Sequence, residues 1–470
     1  MSEITDTLAG YVSGLVFDDL PDVVVERARL LLLDFVGNTV GARYEAETTL
    51  QLVETAEALC WRGGDATVLG LSADFAPPAA ALLNGALAHS LEFDDTHAAA
   101  SLHPGATVIP AVLAAAEMVD ANGRDLLTAM VAGIEVACRV SKALVPAQHY
   151  ERGFHPTATA GTFGAAVGAA RVFALSGESV VSALGIAGSQ ASGSMQFMAN
   201  AGWNKRFHVG AASHNGLVAA TLARQGYLGA SAAIEGDKGF LQAYAPAPQP
   251  ELAIEALGEQ FETLAVALKP YPACRLAHAA LDGILDLKRE HRFAVDQVKS
   301  VEIGLSKLAL DITGQPQSRK RRPRNFVEGQ FSMHTCAAIA LQQGSLTWTD
   351  YKQLWERGET KDMADRVSVY HDEDVEADYP ERLSGRVRIT VGADVFETKV
   401  DVPSGEPERF LSSDEILGKF AGLATSHIGD DRISAIADVV ANADKLNSAR
   451  ELTRATLASE TGLLGEAAAE

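Results

Sequence analysis

Residues 153–168 read GFHPTATAGTFGAAVG, and three glycines, Gly161, Gly164 and Gly168, recur there at three- and four-residue spacing. That spacing puts all three on one face of a helix. Glycine costs roughly 1 kcal/mol against alanine inside a helix, so a helix that keeps three of them implies close contact with a neighbouring helix. Gly210, Ala212 and Gly216 repeat the pattern. These stretches predict a tightly packed helical bundle.

Working outward, the chain to about residue 265 is helical in pattern and rich in Ala, Gly and Leu. Pro21–Asp22 opens a helix whose apolar positions include Val24, Leu31 and Phe35. A second segment runs over 110–120 and stops at Asn122–Gly123; a third follows over 125–144. Between 266 and 402 the texture changes. Val301, Ile303 and Leu305 alternate with polar residues, as do Val387, Ile389 and Val391. After Gly392–Ala393–Asp394 come Phe396, Thr398, Val400 and Val402, so period-two alternation brackets a turn and predicts a β-hairpin. Helical patterns over 273–288 and 332–343 lie between. The fold class is therefore mainly α: a helical domain over 1–265, a smaller α+β lid domain over 266–402, and helices over 403–470 returning to the first. The Ala/Glu tail, 460–470, is expected to fray.

The chain has 470 residues, enough for two cores. With 39 basic against 61 acidic residues the net charge is −22. A field of that sign repels nucleic acid and anionic membrane, so neither is an expected partner. A small anion can still bind where Lys, Arg and His gather locally. Cys60, Cys138, Cys274 and Cys336 are far apart and form no CxxC pair, which favours reduced thiols over a zinc or iron–sulfur site. The N-terminus carries early acids and no basic region ahead of an apolar one, and the apolar run 105–118 is broken by Pro110. A cytoplasmic location is expected.

Ionisable residues collect in five patches: His89 to His97 with His103, then 153–157, 204–210, 269–278 and 319–332. In the first, Glu92, Asp94, Asp95, His97 and His103 fall beside a Pro–Gly turn. Carboxylates and imidazoles together suit acid–base work near neutral pH, because each shifts the other's pKa. The alternative is structural: the aspartates cap a helix and His89 packs on an inner face, and for His89 this reading is preferred. The same set could ligate a metal, but no HExxH or His-x-His is present, so no metal is expected. His155 opens the glycine-spaced helix, where it could equally satisfy backbone groups at the turn. Lys205 and His208 precede a tightly packed helical stretch, and a lysine buried there needs an anionic partner. Lys269 and Arg275, with His278 nearby, sit by the expected domain junction and supply carboxylate-binding cations. The basic run 319–324 reads as a solvated surface loop. There is no GxGxxG after a strand, no GxxxxGK[ST] and no GxSxG, so no dinucleotide, nucleotide or serine nucleophile is indicated.

Taken in order, LEFDDTH (91–97), HPGATVIPAVLAAAE (103–117), GFHPTATAGTFGAA (153–166), KRFHVGAASHNG (205–216), KPYPACRLAH (269–278), EGQFSM (328–333) and VPSGEPERFLSSDEI (402–416) resemble the MmgE/PrpD family of 2-methylcitrate dehydratases, cis-aconitate decarboxylases and iminodisuccinate epimerases. The resemblance implies a helical domain built from both chain ends, an α/β lid, a homodimer, and catalysis without metal or organic cofactor. In the decarboxylase branch it places Glu92, Thr96, His103, His155, Lys205 and Lys269 at active-site positions. Position 92 is usually aspartate in that branch, and a lid position often held by tyrosine is Thr335 here.

The chemistry expected from these residues is enolate-like. Lys205, Lys269 and Arg275 clamp the carboxylates of a small di- or tricarboxylic acid, helped by His97, Asp94, His208 and His278. His103 or His155 moves the proton on carbon, and Glu92 and Thr96 orient the substrate. On the two departures, dehydration is placed ahead of decarboxylation. Epimerisation on the same site is the next reading, and a non-catalytic helical interaction protein is the reading from another class.

Overall fold

A computed structural model describes residues 4–200, 202–379 and 381–457, so the tail at 460–470 lies outside the described residues. The fold is mainly α. The chain divides into two units, one formed by residues up to Val266 together with those from Ser413 onward, the other by Ala267–Ser412.

The first unit is built around helices that are apolar on every side. In Pro156–Val172 only Arg171 escapes burial, and in Pro104–Val119 burial is continuous from Pro104 to Glu117. Helices hydrophobic all round belong in the centre of a bundle. Their neighbours are Pro77–Ala88, Gly123–Ala143 and Asn204–Arg224. Small residues set the spacing. A Cβ added to Gly133 would stand 2.4 Å from Val108 Cγ1 and 2.8 Å from the Gly164 carbonyl oxygen. A Cβ on Gly210 would stand 2.2 Å from the Leu82 carbonyl oxygen. Both helix pairs therefore pack backbone against backbone.

Asn122–Gly123 does not end a helix. Helix Pro104–Val119 ends one residue later on Asp120, which takes the left-handed conformation at φ 54. Asn122 instead starts the next helix, accepting a hydrogen bond from the Asp125 amide at 2.9 Å. Asn serves both helix ends, and here the N-cap role wins because Asp125 returns the contact.

From Ser413 the chain packs back on this unit. Helix Ser413–Ile428 lies against Asp22–Glu45, where Gly37 and Gly41 make room for Phe420 and Leu423. Buried between these helices, Lys419 meets Asp34 at 2.5 Å.

The second unit carries a four-stranded mixed sheet. Val298–Leu305 pairs in parallel with Val367–His371 on one side and antiparallel with Gly385–Val391 on the other; Asp394–Val400 forms the edge. Val391 faces Asp394 across a two-residue turn in which Gly392 has φ 58, a conformation such hairpins require. Val387, Ile389 and Val391 turn inward onto helices His278–His291 and Met333–Gln343. The segment 403–412 stays with this unit, ten residues past the boundary expected at 402. The reason is local: the Ser404 amide donates to Asp282 at 2.6 Å, and Glu406 pairs with Arg275.

The basic run lies at the surface, with Arg319, Arg322 and Arg324 exposed, but its cations are paired. Arg319 and Arg324 bind Glu328, Arg322 binds Asp365, Arg321 donates to the Val367 carbonyl, and Lys320 donates to the carbonyls of Ile312 and Phe331. Each cation is committed within the second unit. Among the described residues, no helix is long and apolar enough to cross a membrane.

Candidate active site

Helix Pro77–Ala88 ends at His89, and residues 89–95 then form a buried loop before the short strand Asp95–His97. The polar residues of the loop are each held by at least one partner. Glu92 holds φ 53, a left-handed conformation that costs a non-glycine residue about 1–2 kcal/mol. Its carboxylate meets Lys205 Nζ at 2.6 and 2.8 Å. The Phe93 carbonyl accepts from Lys419 at 2.6 Å and from Asn38 at 3.2 Å, and the Lys419 ammonium lies 4.2 Å from the Phe93 ring centre. Asp94 meets His89 Nδ1 at 2.6 Å. Asp95 accepts from the Gly105 and Ala106 amides at 2.7 and 3.3 Å, at the start of helix Pro104–Val119. Burial, then the charge of Asp94, pushes the Asp95 carboxyl up to about 8, although those two amides pull the other way.

Two imidazoles stand at helix starts. His103 and His155 each precede a proline that opens a helix, an economical first position because its missing N–H had no intrahelical partner. His103 Nδ1 lies 2.7 Å from the Asp95 carbonyl oxygen, so in the neutral ring Nδ1 carries the proton and Nε2 is the basic atom. Its backbone N–H donates to Thr157 at 3.3 Å, joining the two helix starts. His155 is buried, and its Nδ1 lies 3.4 Å from His208 Nδ1. Burial, then the positive charge of Lys205, drives His155 well below its ordinary range. Burial, then His89, lowers His208 to about 4. At neutral pH both rings are neutral, so one shares its proton with the other. The first unit thus brings Glu92, Asp94, His103, His155, Lys205 and His208 together around the His89 loop.

Other residues singled out in the sequence are placed elsewhere. Thr96 is half-buried in the short strand. His97, expected to bind substrate, is engaged on both nitrogens: Nδ1 accepts from the Ala100 amide at 3.1 Å and Nε2 donates to Glu262 at 2.9 Å. Burial pushes Glu262 up, but His97 and Lys142 outweigh it and bring the carboxyl to about 2. In the second unit Lys269 is buried just beyond strand Val266–Leu268. Arg275, expected as a clamp, spends its guanidinium inside that unit: Nε donates to Glu406 at 2.9 Å, Nη2 also to Glu406, and Nη1 to the Ser404 carbonyl at 3.1 Å and His278 Nδ1 at 3.0 Å. His278 Nε2 in turn donates to the Ala273 carbonyl at 3.1 Å, so this imidazole is a structural link. Thr335 is buried, with its hydroxyl 3.4 Å from the Lys320 carbonyl.

Sequence reasoning gave His89 a packing role and passed over Asn38 and Lys419. His89 stands five residues before Asp94, and that spacing was the available signal. Asn38 and Lys419 lie far from the loop in the chain, and nothing local marks them. As for metals, His89, Asp94 and His103 offer ligand atoms all within 4.8 Å of one another. A zinc ion at its usual distance of about 2.0–2.1 Å from nitrogen would have to break the His89–Asp94 hydrogen bond to use them.

Residues 6–253 match the MmgE/PrpD N-terminal domain and residues 271–445 the MmgE/PrpD C-terminal domain. The chain is similar to a cis-aconitate decarboxylase of Aspergillus terreus (strain NIH 2624 / FGSC A1156), 31% identical over 469 residues that cover 95% of this chain and 94% of the relative. Similarity extends to the cis-aconitate decarboxylases of Mus musculus, 27% identical with 97% and 93% covered, and of Homo sapiens, 27% identical with 96% and 94% covered. With both domains matched in order along nearly the whole chain, the protein belongs to the MmgE/PrpD family.

Proposed function

We propose that the protein is a lyase that breaks a bond beside a carboxylate in a small tricarboxylic acid, with decarboxylation of a cis-aconitate-like substrate as the first reading. The observation that carries it is the meeting of buried Glu92 with half-buried Lys205 within the same group as three imidazoles, two of which are held neutral by burial. A neutral imidazole can take or give a proton, and a lysine beside it stabilises negative charge that develops on the substrate. In decarboxylation the bond to the departing carboxylate breaks, carbon dioxide leaves, and its electron pair stays on carbon next to a second carboxylate. His103, once Nε2 has taken up a proton from solvent, or His155 then gives a proton to that carbon. The relatives named above support decarboxylation over the dehydration placed first from the sequence alone.

Dehydration remains a second reading on one observation: Glu92 is a long, buried carboxyl able to protonate a leaving hydroxyl. Lys269 is retained as a carboxylate-binding group, and a homodimer and a cytoplasmic location belong to the same proposal. Incubation with cis-aconitate, citrate, 2-methylcitrate and aspartate-like diacids, scored by product mass, separates the readings. Loss of carbon dioxide supports the first and loss of water the second. Deuterium uptake at carbon without mass loss would point to epimerisation, and no change in any acid overturns the lyase reading.

A further inference from the structure

His89 is fully buried, and its Nδ1 is hydrogen-bonded to Asp94 at 2.6 Å. That bond places the ring proton on Nδ1 and leaves Nε2 as a lone pair. Nε2 is itself buried and has no hydrogen-bond partner among the described residues; the nearest carboxylate oxygen, Glu92 Oε1, is 3.8 Å away. Buried polar atoms are nearly always satisfied, so an unsatisfied one beside a strained residue calls for a functional explanation. Lone pair facing ionised carboxylate is unfavourable as it stands. It becomes favourable when a proton lies between them.

We propose that Asp94, His89 and Glu92 form a proton relay in which His89 is a positioning residue acting through Glu92. The inference rests on the reading of the protein as a lyase and assigns Glu92 a proton-carrying part in it. When Glu92 is ionised, Lys205 holds it. When Glu92 takes a proton from the substrate or from solvent, its side chain turns by about 1 Å toward His89, reaching hydrogen-bond distance. The proton then rests on Glu92 with Nε2 accepting, or passes to Nε2, giving an imidazolium that Asp94 stabilises as a carboxylate does in a catalytic triad. The same proton returns by the same route, so nothing is oxidised or reduced. The groups facing His89 are Asp94, Glu92 and the His103 ring, whose centre is 4.5 Å away, with His155 and His208 felt electrostatically and Lys205 acting through Glu92.

The test compares the full-length protein with His89→Asn, in which the side-chain amide can still donate to Asp94 while the Nε2 atom is gone. On an acid that the wild type converts, kcat is expected to fall about 100-fold, the usual scale of acid–base assistance, with KM nearly unchanged. The limb of the kcat–pH profile that reports the relay is expected to disappear. An unchanged kcat with an unchanged profile overturns the relay while leaving the lyase reading intact. If His89→Asn does not fold, judged by its thermal unfolding, nitrogen NMR of histidine-labelled wild type decides: a proton on His89 Nδ1 supports the relay, and a proton fixed on Nε2 overturns it. If the wild type converts none of the acids, the lyase reading fails on its own, and the same spectrum still tests the tautomer on which the relay depends.

Discussion

Lys419→Met removes the cation through which the last part of the chain holds the site loop. Lys419 and Asp34 are both buried, with side-chain exposures of 6% and 2%, and are 2.5 Å apart. Breaking such a pair from one side costs about 3–5 kcal/mol, because the remaining charge is buried without its partner. Here protonation offers relief. Burial already raises Asp34, and Lys419 is what pulls it down, so without the lysine its carboxyl rises further and takes up a proton. The loss should therefore lie near the lower end, about 3 kcal/mol at neutral pH. The sign with pH follows. An acid whose folded pKa lies above its unfolded one stabilises the fold below the unfolded value and loses that contribution as pH rises. The deficit of Lys419→Met should then shrink as pH falls from about 7 to about 5. Asp34→Asn in the same background should restore most of the stability, giving a coupling of about 2 kcal/mol or more in a double-mutant cycle followed by urea unfolding. Activity should not return with stability, since the Phe93 carbonyl still lacks the 2.6 Å hydrogen bond that steadies Glu92 and Asp94. A pH-independent loss below about 1 kcal/mol would refute this account of the pair, because it would match an exposed ion pair.

Three further outcomes are expected. Gly133→Ala, whose new Cβ would stand 2.4 Å from Val108 Cγ1, should lower stability by about 1–3 kcal/mol in thermal unfolding. Arg275→Gln strands Glu406 in the second unit, so it should destabilise by about 3 kcal/mol, measured by urea unfolding, and any rise in KM should be smaller than that loss implies. Glu262 is depressed from 4.5 to about 2, so it contributes up to about 3 kcal/mol above its unfolded pKa, lost as pH falls through about 2; Glu262→Gln should flatten that part of an acid-unfolding curve.

Periodicity made the helices and the hairpin legible. The glycines at 161–168 announced backbone contact, and the Gly133–Gly164 approach supplies it. Val387, Ile389 and Val391 announced a strand, and their side chains do face the core. Residue type alone could not tell an anion-binding arginine from a structural one. Arg275 donates to Glu406, Ser404 and His278, and Glu406 lies 131 residues away in the chain. The same distance problem hid Asn38 and Lys419, which meet the Phe93 carbonyl from helices Asp22–Glu45 and Ser413–Ile428. His89 was legible as a buried imidazole on an inner face; the rest of its environment, a bonded Nδ1 and an unsatisfied Nε2, is a property of the fold.

The most direct measurement on the site is steady-state turnover of cis-aconitate, followed by product mass, for wild type, His103→Ala and Lys205→Ala, each shown by thermal unfolding to be folded. Wild type should release carbon dioxide, and both variants should lose at least about 100-fold in kcat/KM with little change in unfolding temperature. Near-normal conversion by both variants, from a wild type that is itself active, would contradict the assignment of the chemistry to this group.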